Sequence, residues 1–181
     1  MKKLLIVSIL AALIVPATSL GDTTGQDHEN AARACRAIRA LLGPQIFGQT
    51  YGTVQSKRRN AFGRCVSYWT RAERQNRVSA RAACSAEQAD ANFPDTHDGK
   101  TFDEYYGTGK KYRNAFGKCV SSKARAAADQ QHRDTVNAAR ECKAERARIG
   151  VGPFRQKYGR NARDGNAFGK CVSQLAKAKS A

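Results

Sequence analysis

Acidic side chains are scarce in this chain of 181 residues. There are 15 Asp and Glu against 32 Lys and Arg, so the formal net charge at pH 7 is +17. A charge of this size favours anionic partners, which include nucleic acid, acidic glycans, phosphate-rich wall polymers and anionic lipid. The alternative interpretation is that the charge only keeps the protein soluble, and composition alone does not decide between the two.

The motifs of common catalytic and metal sites are also missing. The sequence has no Gly-x-Ser-x-Gly segment, no phosphate-binding glycine loop and no repeated carboxylate pair suited to acid–base catalysis. No two cysteines have the two-residue spacing of common zinc sites. None of the three histidines recurs in the repeats described below: His28, His97 and His132. We therefore predict no enzymatic activity, no cofactor and no metal, although a site assembled only by the fold stays open.

Only one long apolar run is present, and it lies at the N-terminus. Two lysines precede an apolar segment from Leu4 to Val15, and a proline and several small residues follow it. This pattern predicts a secretory signal peptide over residues 1–21, cleaved after Ser19 or Gly21. A retained anchor is the alternative, but about 20 apolar residues are needed to span a bilayer. We expect a secreted or otherwise extracytoplasmic protein with no transmembrane segment after cleavage.

One octapeptide occurs three times almost unchanged, as Asn-Ala-Phe-Gly-Lys/Arg-Cys-Val-Ser beginning at Asn60, Asn114 and Asn166. An alanine-rich stretch with a cysteine and a Phe-x-x-x-Tyr-Gly segment precede each copy. Such self-similarity identifies an internal repeat. We divide the chain after the signal into unit 1 (22–68), unit 2 (69–122) and unit 3 (123–181), with an insertion at 92–100 in unit 2.

The six cysteines, two in each unit, predict a disulfide framework in an exported protein. If each unit is a self-similar hairpin, the pairs form within units: Cys35–Cys65, Cys84–Cys119 and Cys142–Cys171. On one continuous helix, Cys65 and Cys84 would lie about 28 Å apart, too far for a disulfide. Because a unit of this size buries little apolar surface, we expect loss of either cysteine to unfold its own unit more than the neighbouring units.

Abundant alanine and arginine and few β-branched residues predict an all-α protein. Each unit should be a helical hairpin with a bent first arm, and the three form either a short solenoid-like array or separate beads. Whether one helix continues from unit to unit is open. The lack of proline and glycine from Arg64 to Asn92 favours continuity. Residues typical of N-caps lie eight positions before each first cysteine: Asp27, Asn76 and Asp134. The two at the unit junctions, Asn76 and Asp134, favour a restart.

The repeated aromatic residues are expected to fill the core of each hairpin rather than form a ligand-stacking ladder: Phe47, Phe102, Phe154, Tyr51, Tyr106, Tyr158, Phe62, Phe116 and Phe168. The glycine after each Tyr suits a helix C-cap. The octapeptide glycines cost helix stability, and we expect them to permit close contact with the Tyr-Gly corner: Gly63, Gly117 and Gly169. We interpret the insertion as a polar turn with a helix cap rather than a calcium loop.

A short basic loop connects each Tyr-Gly to the following octapeptide. Each loop leads into a helix N-terminus, where free N–H groups and the helix dipole favour anions. Three such loops in an array would bind a polymer multivalently. The candidate anion-binding residues are Lys57, Arg58, Arg59, Lys110, Lys111, Arg113, Arg160 and Arg163.

Three functions fit these observations. The first is a non-catalytic, extracytoplasmic binding module for anionic polymers or surfaces. The second is a structural or protein-interaction repeat protein whose positive charge is incidental. The third is an enzyme whose site the sequence does not reveal. The sequence names neither the ligand nor the oligomeric state.

The combined Phe-x-x-x-Tyr-Gly and Asn-Ala-Phe-Gly-Lys-Cys-Val-Ser pattern resembles a repeat found in uncharacterised exported bacterial proteins. It covers nearly all of the chain after the signal. The resemblance implies export and a cysteine-containing repeat, but no particular activity. Arg64 in place of the octapeptide lysine and the insertion in unit 2 depart from the pattern.

Overall fold

The computed structural model describes residues 24–160 and 164–179, which are helical apart from turns and loops. The predicted signal peptide and Arg163 lie outside the described residues. The helices are α1 (Thr24–Tyr51), α2 (Ala61–Ala89), α3 (Phe93–Thr96), α4 (Phe102–Tyr106), α5 (Ala115–Ile149), α6 (Val151–Tyr158) and α7 (Ala167–Lys179). The prediction of an all-α protein is confirmed.

Two long helices cross the unit boundaries. Helix α2 is the second arm of unit 1 and the first arm of unit 2, and α5 connects units 2 and 3 in the same way. Asn76 and Asp134 lie in the middle of these helices, so the interpretation of both as N-caps is wrong. The side-chain amides of Asn76 and Gln131 exchange hydrogen bonds of 3.1 Å between α2 and α5.

The third residue of this set, Asp27, also serves contact between helices. It is fully buried in the first turn of α1 and forms an ion pair with Arg77 of α2. Buried polar groups need partners because their hydration is lost. At two of the three recurring polar positions, Asp27 and Asn76, the side chain therefore joins neighbouring helices, and α2 and α5 do not restart at Asn76 or Asp134.

Glycine bends the first arm of units 1 and 3. Gly43 (φ 72°, ψ 160°) interrupts α1, and Gly150 (φ 83°, ψ 163°) separates α5 from α6. Glycine adopts this conformation without the penalty that a Cβ imposes. Pro44 and Pro153 then lie in the first turn of the new helical segment, where a missing N–H costs little. The bent first arm predicted from sequence is present.

One disulfide joins the two arms of each hairpin. The bonds are Cys35–Cys65, Cys84–Cys119 and Cys142–Cys171, with Cα–Cα distances of 6.0, 6.0 and 6.1 Å. They are the pairs expected from the repeat. All six cysteines are fully buried. Such bonds are typical of proteins of oxidising, extracytoplasmic compartments.

The units do not pack as a simple linear array, in which units 1 and 3 would not touch. Helix α1 packs against α2 and also against α5 and α7. Ile46 of α1 lies in the core of unit 3, and Val136 of α5 lies in the core of unit 1 together with Trp69, the first residue after the unit 1 boundary. Units 1 and 3 therefore share apolar side chains, whereas the core of unit 2 is built from its own residues and the adjoining turn of α5.

The insertion in unit 2 completes that separate core. Phe93, which is 2% exposed, stacks on His97 and contacts the ring of Phe102 edge-on. Thr101 and Glu104 then form a capping box at the start of α4. The insertion, predicted as a polar turn with a helix cap, forms the short helix α3 and a turn, and the side-chain cap lies directly after it at Thr101. The aromatic contribution of the insertion to the core was not predicted.

The octapeptide glycines have different surroundings despite their identical sequence. A Cβ added at Gly169 would lie 2.8 Å from the carbonyl oxygen of Thr50, so this glycine permits the predicted close contact with a Tyr-Gly corner. The same prediction is wrong for Gly63 and Gly117, which have nothing within 4 Å of such a Cβ. The corner that packs on Gly169 belongs to unit 1, not to unit 3.

Candidate functional site

The first basic loop directs its cations in two directions. Lys57 and Arg59 are exposed, whereas the Arg58 side chain turns inward. Its Nη1 donates to the Gly48 carbonyl oxygen at 3.1 Å, and its Nη2 donates to the Gly165 carbonyl oxygen at 2.9 Å. Arg58 therefore joins unit 1 to unit 3, and these bonds use one N–H of each of its two terminal nitrogens.

Cations of unit 3 surround Arg58. Partial burial, followed by the positive charges of Arg146 and Arg155, lowers the pKa of Arg58. The group still keeps its proton at neutral pH because an arginine pKa lies far above that range. Arg58 is therefore less suited to binding an anionic ligand than an exposed arginine whose donors are free.

The second loop presents all three of its predicted cations to solvent: Lys110, Lys111 and Arg113. A bridge between the backbones of Thr108 and Arg113 closes the loop. Asn114 then starts α5 in the left-handed conformation (φ 66°) and makes no side-chain capping bond. Asn114 thus occupies the N-cap position of α5, but its side chain does not satisfy the first-turn N–H groups.

The third loop combines cations with an acid. Arg160 is exposed, and its backbone N–H donates to Asp164 Oδ2 at 3.0 Å. Lys170 Nζ lies 2.6 Å from the same oxygen. Hydrogen bonds from Lys170, then from the N–H groups of Asn166 and Arg160, lower the pKa of Asp164 to about 2. The loop thus keeps a negative charge at neutral pH, which makes it the least suitable of the three for an anion.

The first loop borders an open groove of about 500 Å³ on unit 1. Phe47 and Phe62 line its floor, and its charged lining residues are Arg39, Lys57, Arg58 and Arg59. No acidic side chain of the described residues lines it. A concave surface of this size with one sign of charge concentrates oppositely charged groups.

Two carboxylates that the sequence analysis did not identify pair with the repeated tyrosines. Tyr106 donates to Glu87 at 2.9 Å, and Tyr158 donates to Glu145 at 2.5 Å. A lysine completes each cluster, Lys123 in the first and Lys157 in the second. The signal was available in the sequence, because a Glu follows the first cysteine by three residues in units 2 and 3. Unit 1 has Ile38 there, and Tyr51 accepts from Trp69 Nε1 at 3.2 Å instead.

These carboxylates are poor general bases. Burial raises the pKa of Glu87, but hydrogen bonds from Lys123 and Tyr106 outweigh it and lower the pKa overall. Hydrogen bonds from Lys157 and Tyr158 lower the pKa of Glu145. A general base works best with a pKa near the operating pH. We interpret both clusters as structural braces: the first joins α2, α4 and α5, and the second joins α5 to α6 across the bend in the first arm of unit 3.

The described residues bring no three His, Cys, Asp or Glu side chains together in a way that would hold a metal ion. Over the same residues, no helix is both long and apolar enough to cross a bilayer. No protein-family model, no curated protein and no solved structure matches the chain.

Proposed function

We propose that this protein is a non-catalytic, extracytoplasmic binding module for anionic polymers, which it holds through the exposed cations of its basic loops. Export by the N-terminal signal peptide is part of the proposal. The polymer is an acidic glycan, a phosphate-rich wall polymer, a nucleic acid or the headgroup surface of an anionic membrane. The three disulfides support a location outside the reducing cytoplasm.

One observation carries the proposal. Six of the eight predicted loop cations are exposed, and none of their side chains forms an ion pair or a hydrogen bond with a described residue: Lys57, Arg59, Lys110, Lys111, Arg113 and Arg160. Exposed cations without protein partners are free to replace the counterions of a polyanion, and release of those counterions drives binding. The remaining two are Arg58, which is engaged within the protein, and Arg163, which is not described.

The test is a binding titration of the oxidised protein against four polyanions over a salt series. The panel consists of double-stranded DNA, an acidic glycan, a phosphate-rich wall polymer and anionic vesicles. A loop variant replaces the six exposed loop cations with glutamine and keeps Arg58, because its loss would disturb the fold. If all six contact DNA phosphates, the slope of log affinity against log salt should flatten by about 5.

A matched variant separates loop binding from general charge. It replaces six exposed cations on helix surfaces with glutamine and so removes the same charge: Arg36, Arg81, Arg125, Arg140, Lys143 and Lys177. We expect it to keep most of the affinity that the loop variant loses. Equal losses in both variants would show that the basic character is general, and the proposal would be wrong.

The alternative is a structural or protein-interaction protein whose charge is incidental. Binding of a protein segment in the open groove on unit 1 would favour this alternative. Weak binding to all four polyanions with little preference would support it. An enzymatic function would require turnover of a candidate substrate. The lowered pKa values of Glu87 and Glu145 do not favour that function.

A further inference from the structure

Units 1 and 3 form the same groove from equivalent residues, but only the groove of unit 3 is filled. Arg39, Phe47 and Phe62 in unit 1 correspond by repeat position to the residues Arg146, Phe154 and Phe168 in unit 3. The space left open is about 500 Å³ in unit 1 and about 60 Å³ in unit 3. The difference shows what kind of segment the groove accepts.

The segment in the groove of unit 3 is the corner of unit 1, residues 46–58. Gln49 Oε1 accepts a hydrogen bond of 2.6 Å from Arg146 Nη1. Arg58 donates to the Gly165 carbonyl oxygen, and the backbone of Thr50 packs on Gly169. The groove thus takes a Tyr-Gly corner whose side chain offers an oxygen to the groove arginine.

The groove of unit 1 has the same features without an occupant. Arg39 makes no hydrogen bond or ion pair with any residue that the structure describes. Gly63, the counterpart of Gly169, is open. Unlike the groove of unit 3, which contains Asp164, this groove has cations and no acid among the described residues. Its charge therefore favours a corner with negatively charged oxygens.

The corner of unit 2, residues 101–112, offers such oxygens. Glu104 stands where Gln49 stands in unit 1, two residues before the repeated Tyr. Tyr105 occupies the repeat position of Thr50. Tyr112 is the counterpart of Arg58, because Tyr112 lies against Gly107 as Arg58 lies against Gly52. Glu104 is exposed, and the two tyrosines are 47% and 44% exposed. Unit 2 therefore displays the surface that unit 1 buries against unit 3.

Charge also selects this corner over the third. The segment 90–104 holds five acids and one lysine: Asp90, Asp95, Asp98, Asp103, Glu104 and Lys100. At the position equivalent to Glu104, unit 3 has Gln156, and the cations of the groove would repel its two neighbours, Arg155 and Lys157. The molecule thus has an acidic segment, residues 90–104, that leads into the unit 2 corner, and a basic groove on unit 1. The two lysines of this corner, Lys110 and Lys111, lie at its other end.

We propose that the unit 2 corner of one molecule docks in the unit 1 groove of a second copy, with Glu104 accepting from Arg39. The contact is head-to-tail, so it forms a ring where the rotation closes and a filament where it does not. The net charge of +17 opposes association. At physiological ionic strength this repulsion is screened beyond about 8 Å, whereas the charges in direct contact are closer than that. We expect a weak association that depends on concentration.

The test is sedimentation velocity over a concentration series at physiological ionic strength. The wild type should increase in mass with concentration. Arg39→Glu and Glu104→Arg should each weaken association by about tenfold or more, because each places like charges opposite one another. An equimolar mixture of the two variants should associate again, since the corner of one and the groove of the other then carry opposite charges. Arg36→Glu, an exposed change outside the groove on the same helix, should behave as wild type.

Glu104 also belongs to a capping box, so Asp103→Arg serves as a second corner variant that leaves the cap intact. A wild type that stays monomeric at every concentration would overturn the proposal. So would single variants that associate as the wild type does, or a mixture that does not recover. If Arg39→Glu reduces polyanion binding while the wild type stays monomeric, the groove holds the polymer instead. The corner variants remove no cation, so retained polyanion binding in them separates this proposal from the proposed function.

Discussion

Unit 2 and the pair formed by units 1 and 3 complete their cores in different ways. The insertion gives unit 2 its own Phe93, which packs against Phe102 within the unit. Units 1 and 3 lack the insertion and exchange side chains, with Ile46 contributed to unit 3 and Val136 contributed to unit 1. The comparison shows that a repeat of this size closes its core either with extra residues of its own or with a neighbour.

Among tests of this comparison, we expect removal of the Trp69 side chain to change stability most. This side chain is 1% exposed, and its ring lies edge-on to His132 of α5, 4.1 Å between centroids. We expect Trp69→Ala to cost about 3–5 kcal/mol of unfolding free energy. Lys123, at the equivalent repeat position, forms a partly exposed ion pair with Glu87. Lys123→Ala should cost at most about 1 kcal/mol. Chemical denaturation of both variants measures the difference, and equal costs would contradict the comparison.

Removal of a disulfide should reveal which units unfold together. In the chain-entropy model, replacing either Cys84 and Cys119 or Cys142 and Cys171 by alanine costs about 3–4 kcal/mol. We expect loss of the first pair to raise amide exchange mainly within residues 80–124. Loss of the second pair should raise exchange in unit 1 as well as in unit 3, because their cores share residues. Hydrogen exchange followed by mass spectrometry resolves the units, and exchange confined to unit 3 would argue against a shared core.

The octapeptide glycines should respond to alanine with opposite signs. Gly169→Ala places a Cβ 2.8 Å from the Thr50 carbonyl oxygen and should destabilise the fold by about 1–3 kcal/mol. Gly63→Ala and Gly117→Ala meet open space and should stabilise by up to about 1 kcal/mol through helix propensity. Thermal or chemical unfolding of the three variants provides the measurement. A stabilising Gly169→Ala would show that the corner of unit 1 does not pack there.

The smallest expected effect is a dependence of the contact between units 1 and 3 on pH. Burial of His132 lowers its pKa, a shift that nearby Asp129 opposes in part. The folded state therefore favours neutral His132, and its contribution to stability is present above about pH 6.5 and is lost as the pH falls below that value. We expect hydrogen exchange in units 1 and 3 to rise between pH 7.5 and 5.5 more than the intrinsic rates predict. His132→Gln should reduce this dependence, while unit 2 serves as the internal reference.

Much of the local architecture followed from the repeat. The bent first arms follow from glycine and proline at the same positions in units 1 and 3. The pairing within units follows because equivalent hairpins bring equivalent cysteines together. The candidate site was less predictable. Lys110 and its neighbours are exposed as a loop cation should be, but Arg58 turns inward to reach Gly165, a residue more than a hundred positions away. The spacing of residues within a repeat does not predict a contact between residues so far apart in sequence.

The sequence by itself determined the helical class, the disulfide pairs, the basic loops and the glycine bends. Each of these depends on the residues within one unit, and the repeat supplies three copies from which to infer them. Only the tertiary structure decided which units share a core, which octapeptide glycine is crowded and which groove stays open. The physical reason is that nearly identical local sequences meet different neighbours. Gly63 and Gly169 occupy the same repeat position, and only the packing of unit 1 against unit 3 distinguishes them.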